Sequence, residues 1–286
     1  MAIDLKNKTI LITGASDGIG KNTAVKLAKM GANLILVGRN EDKTKKVLNE
    51  INSISSSLSN HTYFIADLSL PSQVKKLALE IKKSVPKIDV LFNNAGAFFQ
   101  EKSITAEGQE STFALNHLNY FLLTHHLLDV ISKSESPRIV NTSSQAHVGI
   151  DIDFDNLQGE KNYSGWKAYQ MSKLENILFS FELADRLKNT KITVNTFHPG
   201  FVDTNFGDNN GGFFGNLLKV AKKLIAINED KGSETSTYLC SSAEVDNVTG
   251  KYFDKCKMKT SSPQSRDMET RKKLWNLTEE ILKDHL

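Results

Sequence analysis

The sequence predicts a doubly wound, three-layer α/β/α sandwich on a parallel sheet, and two observations predict it. Short runs of strand character alternate with longer amphipathic runs of helical character along most of the chain. The strand-like runs are apolar throughout, as strands buried on both faces must be, and parallel strands need the intervening helices as crossovers.

In chain order, TILIT at 9–13, a helix-like run through Met30 and NLILVG at 33–38 make one βαβ unit. A Lys-rich helix at 41–57, a strand ending in HTYFIAD at 61–67, a helix from Pro71 and the strand IDVLFNN at 88–94 follow. Next come a helix at 108–131, the strand RIVNTSS at 138–144, a helix across 166–187 and the strand ITVNTF at 192–197. An irregular segment spans 204–230, and an amphipathic helix at 267–283 turns Leu274, Trp275, Ile281 and Leu282 toward the core. No repeat or linker interrupts this pattern, so residues 1–286 are read as a single domain.

Composition narrows the function classes. With 39% hydrophobic and 24% charged residues the chain is an ordinary globular sequence, and a net charge of +3 is too small to attract nucleic acid. Cys240 and Cys256 are too few for a disulfide framework or a zinc site, so two free thiols in a reducing compartment and no metal are expected. The chain enters its first apolar strand almost at once, without a secretory h-region or a run long enough to span a bilayer, and the expected location is cytoplasmic.

TGASDGIG, from Thr13 to Gly20, joins the first strand to the first helix. Glycines there let the backbone turn and approach a pyrophosphate, while the helix N-terminus offers free N–H groups and a positive dipole end. A glycine turn alone is weak evidence, but ADL at 66–68 and NNAG at 93–96 fall at other strand ends, where such sheets bind their ligand.

Tyr169 and Lys173 stand four apart in a helical run and share a face. A phenol titrates near ~10, so a neighbouring cation is the natural means of lowering its pKa for proton exchange at neutral pH. Ser144, at the end of its strand, is placed to donate a hydrogen bond to a substrate oxygen; a strand-end serine also serves as a turn former or helix cap, and Ser143 is the fallback.

The spacing Gly-x-x-x-Gly-x-Gly, then NNAG, a serine-ended strand and YxxxK resembles the short-chain dehydrogenase/reductase family over nearly the whole chain. FALNHLNYFLLT at 113–124, RIVNTSSQAH at 138–147, HPGFVDT at 198–204 and LWNLTEE at 274–280 are most similar to its retinol-dehydrogenase-type branch. The resemblance implies a Rossmann-type sheet and an oxidoreductase in which Tyr169, Lys173 and Ser144 interconvert an apolar carbonyl and its alcohol. It implies a kinked helix at Asn116 holding a water that links the lysine to solvent. It further places Gly14, Ser16, Asp17, Gly18, Ile19 and Gly20 on the cofactor diphosphate, Asp67 and Leu68 around the adenine, and Asn94, Ala95 and Gly96 along the ribose. Pro199, Gly200, Val202 and Thr204 then meet the nicotinamide, and homodimers are common among relatives.

The end of the second strand reads VGRN, with Arg39 and Asn40 where a carboxylate would hold the ribose hydroxyls of NAD. A guanidinium there favours the 2′-phosphate of NADP(H) over NAD(H), although stacking on the adenine is a role open to either cofactor. Asp17 weighs against a phosphate if it points inward, unless Lys21 or Lys43 offsets it. Specificity is expected in residues 204–230, where Gly211, Gly212 and Gly215 suit a hinge, and Phe206, Phe213, Phe214, Leu217 and Leu218 suit either an apolar lid or an interface. A protein that binds NADP(H) without turnover, as a redox sensor or scaffold, is the alternative from another class. Such a protein would be free to lose Tyr169, Lys173 or Ser144, and all three are present.

Overall fold

The computed structural model describes residues 4–55, 59–200 and 229–286. The described strands form one eight-stranded sheet in the order β3-β2-β1-β4-β5-β6-β7-β8. They are β1 (Thr9–Thr13), β2 (Asn33–Gly38), β3 (His61–Ile65), β4 (Val90–Asn93), β5 (Arg138–Thr142), β6 (Thr193–His198), β7 (Lys251–Asp254) and β8 (Lys257–Lys259). All neighbours pair parallel except the β7–β8 hairpin.

Both faces of the sheet are buried, and successive residues of one strand serve opposite cores. Leu11, Leu91, Ile139 and Val194 pack on one face, while Ile10, Ile12, Phe92, Val140 and Phe197 pack on the other. The first face is covered by α3 (Pro71–Ser84), α5 (Asn119–Ile131) and α6 (Gly165–Arg186). The second is covered by α1 (Gly18–Lys29), α2 (Glu41–Ile54) and α7 (Glu234–Ser241). The last helix, α8 (Met268–Leu282), lies against the first face. It buries Leu274 and Leu282 fully and rests Trp275 on Phe121 and Phe179, with Ile281 half-buried beside them.

Because the chain winds outward from β1 in both directions, the strand order reverses between β1 and β4, and in such sheets the ligand crevice lies beyond the carboxyl ends at that point. The six strands and the helices of the sequence reading appear with shifted ends. Two differences matter. The helix expected at 108–131 is three pieces: α4 (Ser111–Phe113), a π-helical turn (Ala114–Leu118) and α5. The strand expected to run to residue 144 stops at Thr142, so Ser144 lies beyond it.

Helix α7 and the β7–β8 hairpin were not expected. ETSTYLCS is poor in helix formers, and its Ser and Thr hydroxyls donate back to the helix's own carbonyls, Thr237 to Ser233 and Ser241 to Thr237. Burial of Leu239 and Cys240 and a 2.7 Å hydroxyl pair between Thr23 and Ser236 hold it in place. The hairpin turns at Lys255 and Cys256, both left-handed at φ 49° and 59°. Such a turn usually announces itself by Asn-Gly or Asp-Gly, and this one does not.

Candidate active site

The glycine loop is shaped from both sides. Gly14 has φ +63°, a backbone that side chains disfavour, and a Cβ on it would stand 2.9 Å from the Ala95 Cα. A Cβ on Gly20 would run into the Gly14 carbonyl oxygen. The loop is braced to the end of β4. The Asn94 and Ala95 N–H groups donate to Thr13 Oγ1 at 2.8 and 3.0 Å, and Asn94 Nδ2 donates to the carbonyls of Thr13 and Gly14 at 2.9 and 3.3 Å. NNAG thus fixes the floor of the crevice, and Thr13, which sequence reasoning left out, is the hub of that brace. The tight backbone, the start of α1 and the crevice fit a dinucleotide diphosphate.

Asp17 caps α1, its Oδ1 accepting from Gly18 N–H at 2.9 Å, and its Oδ2 lies 3.9 Å from Lys43 Nζ. Lys43 therefore stands beside this carboxylate, while Lys21 is engaged with Glu50 at 2.9 Å. Arg39 is exposed just beyond β2, and Asn40 caps α2 by accepting from Lys43 N–H. Asp67 folds on itself, Oδ1 accepting from Ser69 N–H and Oγ, beside the buried Leu68.

Ser144, Tyr169 and Lys173 converge at the carboxyl end of β5. Tyr169 and Lys173 are both buried on α6, with Lys173 Nζ 5.3 Å from the centre of the Tyr169 ring. The Ser144 hydroxyl bonds the Tyr169 phenol and also caps the turn Gln145–His147, accepting from Ala146 N–H at 3.2 Å. Of the two readings of this serine, the turn cap is the one seen directly. The buried Ser143 hydroxyl instead donates to the Lys173 carbonyl at 2.7 Å.

Burial pushes the Tyr169 phenol up to about 12, opposed by the Ser144 hydrogen bond. The same burial pulls the Lys173 ammonium down to about 8, with Glu175 opposing. In both groups, taking the charge out of water disfavours the charged form.

Asn116 sits within the π turn, where the Asn119 N–H reaches back to the Ala114 carbonyl. Its Oδ1 accepts from Ala97 N–H at 2.9 Å, and its Nδ2 donates to the Ala97 carbonyl at 3.0 Å and to Ser172 Oγ at 2.9 Å. Ser172 in turn donates to the Tyr169 carbonyl at 2.8 Å, so Asn116 clamps the β4 loop to α6. A Cβ on Gly96 would meet Asn116 Oδ1 at 3.0 Å and Lys173 Nζ at 3.3 Å, which places all three together.

Three further residues were missed. His147 bonds the Ser144 carbonyl through Nδ1 at 2.7 Å and accepts from Ser262 N–H through Nε2 at 3.2 Å. Because Nε2 accepts, the proton is on Nδ1 and burial keeps the ring neutral. Phe98 and Trp166 stand 5.9 Å from the Tyr169 ring, with Trp166 47% exposed. QAH after the serines and the Trp three places before Tyr169 were the available signals, but neither has meaning until the fold brings them to Tyr169. His198 accepts from Gly200 N–H and lies 3.4 Å from Asp254, and His117 meets Thr278 at 2.9 Å, both as structural residues. Pro199 and Gly200 follow β6, with Gly200 at φ +87°. Val202, Thr204 and nearly all of the expected 204–230 lid lie outside the described residues.

A doubly wound sheet with a braced glycine loop at its switch point and a Tyr-Lys-Ser cluster beside it defines a nicotinamide-dependent oxidoreductase. Residues 8–211 match the short chain dehydrogenase family, and the chain belongs to that family, acting on CH–OH groups. Retinol dehydrogenase 13 of Homo sapiens is 37% identical over 277 residues, covering 95% of this chain and 83% of the relative. Retinol dehydrogenase 14 of Homo sapiens is 36% identical over 291 residues, covering 96% and 86%. Among solved structures, an uncharacterised protein from Mycobacterium paratuberculosis superposes with a TM-score of 0.79 at 28% identity, covering 99% of this chain and 96% of that one. A short chain dehydrogenase from Shigella flexneri complexed with NADP gives 0.69 at 26%, covering 90% and 100%. No described helix is long and apolar enough to cross a membrane.

Proposed function

We propose that this protein interconverts an apolar, retinoid- or lipid-like carbonyl compound and its alcohol with NADP(H), Tyr169 serving as general acid and base. The convergence of Ser144, Tyr169 and Lys173 beside Gly96 carries this reading. The loop Gly14 to Gly20, including Ser16, Asp17, Gly18 and Ile19, holds the diphosphate; Asn94, Ala95 and Gly96 line the ribose, and Asp67 and Leu68 the adenine. Pro199, Gly200, Val202 and Thr204 take the nicotinamide end.

When bound, the nicotinamide supplies or accepts the hydride. Ser144 donates a hydrogen bond to the substrate oxygen as negative charge develops there. With its pKa at about 12, the Tyr169 phenol is protonated at neutral pH and transfers its proton to that oxygen in reduction. Lys173, beside the ring, stabilises the phenolate left behind, and Asn116 holds the β4 loop and α6 in register around it. Phe98 and Trp166 offer an aromatic wall next to Tyr169, suited to a conjugated or aliphatic body. The names of the relatives point to the same substrate class.

Arg39 favours NADP(H), and Lys43 lies 3.9 Å from Asp17, the carboxylate that weighs against a phosphate. Replacing Arg39→Asp should move the preference toward NAD, read as the ratio of the two cofactors' kcat/KM values; an unchanged ratio denies Arg39 a phosphate role. The direct test is turnover of apolar aldehydes and ketones with NADPH by wild type and by Tyr169→Phe, which should lose at least ~100-fold in kcat while binding NADPH normally. Equal rates would remove Tyr169 from the mechanism. NADPH binding by wild type without turnover across the panel would instead make the protein a sensor or scaffold.

A further inference from the structure

On the face of β7 away from α7, a cavity of about 380 Å³ opens between α6, the β7–β8 hairpin and the start of α8. Four cations line it, Lys251, Lys259, Arg266 and Arg271, against one carboxylate, Asp185. Asp185 is already taken, its Oδ2 lying 3.0 Å from Arg271 Nη1. The folded chain therefore gathers like charges from strands, a 3₁₀ turn and a helix into one concavity, a local field that attracts an anion.

A second observation points the same way. Tyr252, 4% exposed, lines the cavity from the strand position opposite Lys259. Among the described residues its hydroxyl has no hydrogen-bond partner, and neither does the buried Nε of Arg271. Both groups belong to residues that line the cavity, and buried donors in native proteins are met by an acceptor. The cavity is roomier than a phosphate ion alone needs, and its wall includes the Phe181 ring.

We propose that this cavity, formed by Lys251, Lys259, Arg266, Arg271 and Tyr252, binds a phosphate-bearing small molecule at a site separate from the cofactor crevice. The location gives the site a neighbour of consequence. The Tyr252 ring lies 5.2 Å from that of His147, the residue bonded to the Ser144 carbonyl.

The experiment is calorimetric titration with inorganic phosphate and with phenyl phosphate at constant ionic strength, on wild type and on three variants whose melting temperatures are checked. Saturable binding should weaken at least ~10-fold in the Lys259→Ala/Arg266→Ala double variant, whose two side chains are exposed, and phenyl phosphate should bind more tightly than the bare ion. Binding should persist in Arg39→Ala, which removes a cation from the cofactor crevice, and in Lys76→Ala, which removes one from the surface of α3. Absence of saturable binding in wild type overturns the proposal, as does loss of binding in Arg39→Ala or an equal loss in Lys76→Ala. Association only with phosphatidic acid vesicles, without response to either soluble phosphate, also overturns it, in favour of a membrane contact.

Discussion

Ser143 and Ser144 are chemically identical neighbours with opposite assignments. Ser143 spends its proton on the Lys173 carbonyl, whereas Ser144 reaches the Tyr169 phenol. Ser144→Ala should therefore cost roughly 100-fold in kcat with little change in melting temperature, as loss of a donor to developing charge does. Ser143→Ala should lower stability by about 1 kcal/mol, through loss of one buried hydrogen bond, and leave kcat closer to normal. Steady-state kinetics and urea melts of the two variants separate these outcomes, and the reverse pattern would reassign the serine. Asp17 shows the same dependence on place: a carboxylate that counts against a phosphate in the sequence becomes a helix cap facing Lys43.

At the scale of elements, the switch-point loop is the most constrained segment of the site. It is squeezed between Thr13, Asn94 and its own glycines, and the Gly14 carbonyl occupies the space a Gly20 side chain would need. Gly20→Ala should cost about 1–3 kcal/mol of strain, in the loop or in its closure on the cofactor. Nicotinamide fluorescence titration should show at least ~10-fold weaker NADPH binding if the strain falls on the bound loop. An unchanged affinity together with unchanged stability would mean that the loop relaxes freely. The helices and strands that build this frame were legible because their apolar residues recur with a clear period. Helix α7 was not, since its sequence favours caps and turns and its helicity depends on burial against α1 and the sheet. The π turn at Asn116 was read only through family resemblance, because nothing in the local spacing of ALNHL distinguishes it from an ordinary helix.

For the whole molecule, Lys173 sets reactivity against stability. Its pKa of about 8 lies below the ordinary 10.5, so under about pH 8 the folded protein carries a buried ammonium whose solvation the unfolded chain keeps. Between those values the folded state releases its proton before the unfolded state does. The unfolded state then binds more protons, and stability rises with pH across that window. Lys173→Met should abolish turnover while stabilising the fold at pH 7 by of order 2–3 kcal/mol, a gain that fades as pH approaches 10.5. Urea melts at the two ends of the window test this, and a gain independent of pH would show that the lysine is not held as a buried cation.

What the sequence determined by itself is the succession of the first six strands with the helices between them, the doubly wound sheet, the glycine loop and the pairing of Tyr169 with Lys173. Each rests on periodicity or spacing within a few residues, where backbone geometry alone says which side chains share a face. Tertiary structure decided which serine meets the tyrosine, that burial drives the phenol up to about 12, and that His147 ties the Ser144 turn to Ser262. It also decided that the chain after β7 returns as a hairpin through two left-handed residues without a glycine. These depend on desolvation and on contacts between residues far apart in the chain, and neither has a local signature.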